Sequence, residues 1–106
     1  MRMVEVKIFQ DGELKGESKG DFVVCIVSSR KDREDTLCNE TCLIGRPLLK
    51  ELRSALSSGA ARILAVACRR KGKSMEKACE VIAEFSADTA MAGAKGILDV
   101  YEDEED

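Results

Sequence analysis

Two apolar runs constrain this chain more than anything else in it. Phe22–Val27 reads FVVCIV and 61–68 reads ARILAVAC. Runs of that length, without polar alternation, suit strands covered on both faces. Between them lie Leu48, Leu49, Leu52, Ala55 and Leu56 at helical spacing, with Lys50, Glu51 and Arg53 on the other side. Pro47 fits a first helical turn, and Gly59, after Ser57 and Ser58, fits a left-handed stop. Strand, helix, strand predicts a βαβ unit with two parallel interior strands and a right-handed crossover.

The rest of the chain is read around that unit. Val4, Val6 and Ile8 alternate with Glu5 and Lys7, as in a half-buried strand. Asp11–Gly12 suits a two-residue hairpin turn, which needs positive φ at both central positions. The returning segment, ELKGESKG, predicts a short edge strand. Residues 30–45 predict a long loop, charged in its first half. Ser74 is a good N-cap for a second helix, whose stripe is Met75, Ala78, Cys79, Ile82 and Phe85. That helix continues or restarts around 86–88 and stops at Gly96, and 97–102 reads as a last strand.

The expected fold is α/β: a two-layer sandwich with a mixed sheet of four or five strands, one βαβ unit and two or three helices. An α+β arrangement is the alternative. With 106 residues the chain holds one domain, 1–101, followed by a disordered acidic tail, 102–106. A sheet of this size can bury its bare face by forming a homodimer; the small-residue stretch 90–94 (AMAGA) permits close helix packing and reads as core, with a dimer contact as the alternative.

Charge excludes some partners. The chain has 17 basic and 20 acidic residues, and five of the acids are 102–106, so the body carries 17 basic against 15 acidic. That is not the footprint of a nucleic-acid binder. Tyr101 and three phenylalanines are too few for a base-stacking platform. No apolar run approaches a membrane span, and no secretory leader is visible, so a cytoplasmic protein is expected. A charged fraction of 35% with one proline also occurs in thermophile proteins.

The segment 67–79, ACRRKGKSMEKAC, is the first candidate site. Arg69, Arg70, Lys71 and Lys73 crowd before a helix start, with Gly72 and Ser74 among them. Ala67-x₄-Gly72-Lys73-Ser74 has the outline of a phosphate-binding loop. It departs from one at Ala67, where the first glycine normally stands, and in its three bulky basic residues. An anion or partner site on Arg69, Arg70, Lys71, Gly72, Lys73 and Ser74, with Ser28 and Ser29 from the same sheet edge, is the expectation rather than nucleotide hydrolysis.

The second candidate is thiol chemistry. Five cysteines in a reducing compartment suit thiols, metal ligands or redox groups better than structural disulfides. Cys25 and Cys79 sit in apolar patterns and read as small core residues. Cys68 ends a predicted strand beside three basic residues and a helix start, a setting that favours thiolate. Cys38 and Cys42 form C-x₃-C and could share a rim with Cys68. A soft metal held there by the three thiols with Glu40, or a Cys38–Cys42 disulfide, would follow. With no histidine, no acid–base dyad can be assembled. The expected function is therefore a non-catalytic binding or regulatory module, with a thiol-based redox, sulfur-handling or metal-binding protein as the alternative. No particular cofactor is indicated.

Overall fold

The computed structural model describes residues 3–31 and 36–103. It is an α+β mixture of four strands and two helices among the described residues, in two compact units, Met1–Leu56 and Ser57–Asp106.

The first unit opens with a hairpin of β1 (Val4–Gln10) and β2 (Glu13–Gly20). Asp11 and Gly12 turn it with φ of 52° and 81°, as the Asp-Gly pair predicts. Val4, Val6 and Ile8 lie opposite Gly20, Ser18 and Gly16, so one face is apolar and small. On the other, Glu5 opposes Lys19 and Lys7 opposes Glu17. The register shifts after Ile8, where Phe9 pairs with Leu14 and Lys15 is the extra residue.

The second hairpin joins β3 (Val23–Arg30) to β4 (Leu37–Ile44) in unbroken antiparallel register, from Val23↔Ile44 to Arg30↔Leu37. Here the expected loop over 30–45 is corrected. Thr41 and Ile44 are β-branched, and pairing with β3 satisfies a backbone that Asn39 and Glu40 make look loop-like in sequence. Part of that expected loop, 32–35, lies outside the described residues. At the open end of this hairpin, just beyond the Val23↔Ile44 pair, Gly45 has a φ of 102°, and a Cβ there would come within 2.8 Å of the Asp21 carbonyl oxygen and of Phe22 Cβ.

Helix α1 (Leu49–Arg70) corrects the βαβ unit. It begins at Leu49, past the expected start at Arg46–Pro47, so Pro47 precedes the helix; the Leu48 N–H donates to Glu51 Oε1 at 2.9 Å, half of a capping box. It then runs through Gly59 and takes in 61–68, the predicted parallel strand. That run holds three alanines and a leucine, strong helix formers, and only Ile63 and Val66 are β-branched. A short apolar run fits either state, and the one glycine costs only about 1 kcal/mol inside a helix. The predicted single sheet of four or five strands is replaced by two two-stranded ladders, β1–β2 and β3–β4.

Helix α2 (Met75–Asp103) starts as predicted, with the Lys77 N–H donating to Ser74 Oγ at 3.1 Å. It does not break at 86–88. Ser86 Oγ and Thr89 Oγ1 donate back to the Ile82 and Phe85 carbonyls, so their hydroxyls are satisfied inside the helix. Nor does it stop at Gly96: alanines at 90, 92 and 94 carry it on, and the expected strand over 97–102 is helical. Of the expected disordered tail, Glu102 and Asp103 are helical and 104–106 lie outside the described residues.

Burial is sparse. Cys68, 7% exposed, is the one buried side chain among the described residues. Around the turn between the helices Leu64, Val66, Ala78, Val81 and Ile82 are half-buried, whereas every described residue from Ala83 to Glu102 is exposed. No described helix is long and apolar enough to cross a membrane.

Candidate functional site

The basic segment is a helix cap. Gly72, φ 71°, holds the left-handed position after α1. The Lys73 N–H donates to the Cys68 carbonyl at 2.9 Å and the Gly72 N–H to the Arg69 carbonyl at 3.0 Å, the paired bonds of a Schellman motif. The Lys71 N–H is shared between the Ala67 and Cys68 carbonyls. A phosphate cradle needs such N–H groups turned outward, and here three successive ones close a helix end instead. The glycine is thus explained by α1 continuing through 61–68, which the strand reading concealed. Arg69 and Arg70 lie in the last turn of α1, where positive charge complements the helix dipole. What remains for a ligand is side-chain charge: Arg69, Arg70, Lys71 and Lys73 are all exposed. Ser74 is engaged as the N-cap of α2. Ser28 and Ser29 lie on β3 in the first unit, not on an edge formed with 61–68; Ser28 Oγ donates to Asn39 Oδ1 across the hairpin at 2.6 Å.

The cysteines are arranged differently from the expectation. Cys68 is buried and Cys79 exposed, the reverse of their predicted roles. Burial removes Cys68 from the partly exposed setting that reactive thiols occupy. Cys38 and Cys42 share one strand, four residues apart, so their Cα atoms stand about 13 Å from each other. A disulfide needs about 4.4–6.8 Å. The same separation keeps both sulfurs from one metal ion, and no group of three or more metal-ligating side chains occurs among the described residues. A rim shared with Cys68 depended on 61–68 being a strand beside β3, and that premise is gone.

Sequence reasoning missed two features. One is the pairing of Cys25 with Cys42 as direct cross-strand partners. Cys25 is half-buried, Cys42 is exposed, and both are free thiols. Its only sequence signal was TCLI, 41–44, whose β-branched ends mark a strand. The other is an open cleft of about 450 Å³ at the base of the hairpins, lined by Met3, Val4, Asp21, Ile44, Gly45 and Arg46. None of the predicted site residues lines it.

No family model matches the chain, and no curated protein or solved structure matches it.

Proposed function

We propose that this chain is a non-catalytic binding module that completes its hydrophobic core on a second copy of itself, with the basic turn Arg69–Ser74 as a polar contact. The observation that carries this reading is the face of α2. At about 100° per residue, Phe85, Ala92, Gly96 and Val100 share one arc of the helix, and Glu80, Glu84, Asp88 and Lys95 share a neighbouring one, centred roughly 110° away. In proteins most of the stability of such a helix comes from covering its apolar side. Yet Phe85 and Val100 on that arc are 39% and 58% exposed.

Charge and size favour a second copy as the cover. Helix α1 has five basic residues and one acidic, a net +4; α2 has two basic and seven acidic, a net −5. A pair of chains therefore offers each acidic α2 a basic α1, and the anion met by the basic turn is the acidic side of the partner's helix. At about 1.5 Å per residue and about 10 Å width, the two helices present on the order of 750 Å² of lateral face. A stable interface takes about 800 Å² from each partner.

Sedimentation velocity over a range of micromolar concentrations tests the reading. The expected species is a dimer, at twice 11.6 kDa. Val100→Glu places a charge on the exposed apolar face and should give a monomer that keeps its helical circular dichroism. A wild-type chain that stays monomeric at every concentration, or a Val100→Glu dimer as tight as wild type, overturns the proposal.

A further inference from the structure

We infer that Cys25 and Cys42 form a reactive dithiol whose substrate is a low-molecular-weight disulfide and whose product is a cross-strand Cys25–Cys42 bond. The two residues are register partners in a ladder with no shift along its length. Directly opposed residues in an antiparallel pair have Cα atoms about 4.5–5.5 Å apart and side chains on one face. A disulfide spans about 4.4–6.8 Å between Cα atoms, so the spacing of the two strands at this pair suits the bond.

The neighbours set the order of events. The pair is flanked on its own face by Val23↔Ile44 on one side and Val27↔Glu40 on the other. Cys42 is exposed and Cys25 half-buried, so the incoming disulfide meets Cys42 first. The Cys42 thiolate attacks one sulfur of R–S–S–R, forms a mixed disulfide and releases RS⁻, which takes up a proton. The Cys25 thiol then gives its proton to solvent and attacks the Cys42 sulfur, expelling the second RS⁻. Two protein thiols are oxidised, one small disulfide is reduced to two thiols, and two electrons pass.

Cys38 is a built-in control. It lies on the same face of β4, but its register partner is Ser29, and Cys42 is four residues away along the strand. Geometry therefore selects one pair from three nearby cysteines, where random closure in an open chain would not.

The reduced full-length protein, incubated with glutathione disulfide under native conditions, is mapped by non-reducing peptide mass spectrometry. Two of the five thiols should be lost, with a link between Cys25 and Cys42 and a mass decrease of about 2 Da. Cys38→Ser should give the same product at the same rate. Cys25→Ser should stop at a glutathione adduct on Cys42. A Cys38–Cys42 link, an intermolecular bond, wild-type protein that ends as adducts only, or five unreacted thiols would each overturn the inference. Because the mapping reads the wild-type chain, it stands even where a serine variant fails to fold.

Discussion

The two β-hairpins have the same topology and opposite surfaces. In β1–β2, charge and apolar bulk are sorted: Val4 and Val6 are half-buried, while Glu5, Lys7, Glu17 and Lys19 hold the other face. In β3–β4, both faces are apolar. Val24, Ile26, Leu37 and Leu43 lie on one, Val23, Val27 and Ile44 on the other, and Ile26 is 62% exposed. A sorted ribbon needs cover on one side; an unsorted one needs it on two, and a two-stranded ribbon alone is marginal in water. The second hairpin is therefore the one whose stability depends most on what covers it, and it is also the one that carries the opposed thiols.

Two glycines of positive φ break this comparison most sharply: Gly45, after β4, and Gly12, in the turn of the first hairpin. Gly45→Ala should be the most damaging single methyl in the chain. The position has positive φ, and its new Cβ would meet the backbone oxygen of Asp21 and the base of Phe22 at 2.8 Å. Neither is the far end of a flexible side chain. A loss of about 3 kcal/mol in urea unfolding is expected, the strained conformation and the overlap adding together. Disulfide formation between Cys25 and Cys42 should slow in the same variant, since the open end of the ladder, at Val23↔Ile44, must shift. Gly12→Ala offers the contrast. Its φ is also positive, but nothing lies within 4 Å of the new Cβ. Only the conformational cost remains, about 1 kcal/mol, with no effect on thiol exchange. Equal losses at the two sites would show that the crowding at Gly45 relaxes freely.

The same contrast explains what could be read from residues alone. The first hairpin was legible because its signals are local: alternation over Val4–Ile8 and an Asp-Gly pair between the strands. The start of α2 was legible for the same reason, through Ser74. The second hairpin was half legible. Phe22–Val27 announces a strand, but β4 becomes one only through its ladder with β3, and Asn39 and Glu40 mask it. The partnership of Cys25 with Cys42 follows from that long-range register, so no local spacing could reveal it, while the spacing that is visible, Cys38 to Cys42, places those thiols out of reach. Helix α1 failed for another reason. Ser57, Ser58 and Gly59 look like a stop, and an alanine-rich apolar run fits either helix or strand. Once that run is helical, Gly72 changes from a phosphate-loop glycine to a C-cap, and the reading of the basic segment changes with it.

The smallest expected effect sharpens the sorted side of the comparison. Glu17→Lys on β2 places a lysine directly opposite Lys7 on β1. Like charges in register destabilise a ladder, but these side chains are solvated, and Lys7 already approaches Glu5 on its own strand at 3.9 Å with about half of each side chain exposed. Screening and that alternative partner should hold the cost to a few tenths of a kcal/mol at low salt, fading as salt is added. Urea unfolding at two ionic strengths measures it. A loss that survives high salt would mean that Glu17 faces a covered surface and that the first hairpin, like the second, is covered on both sides.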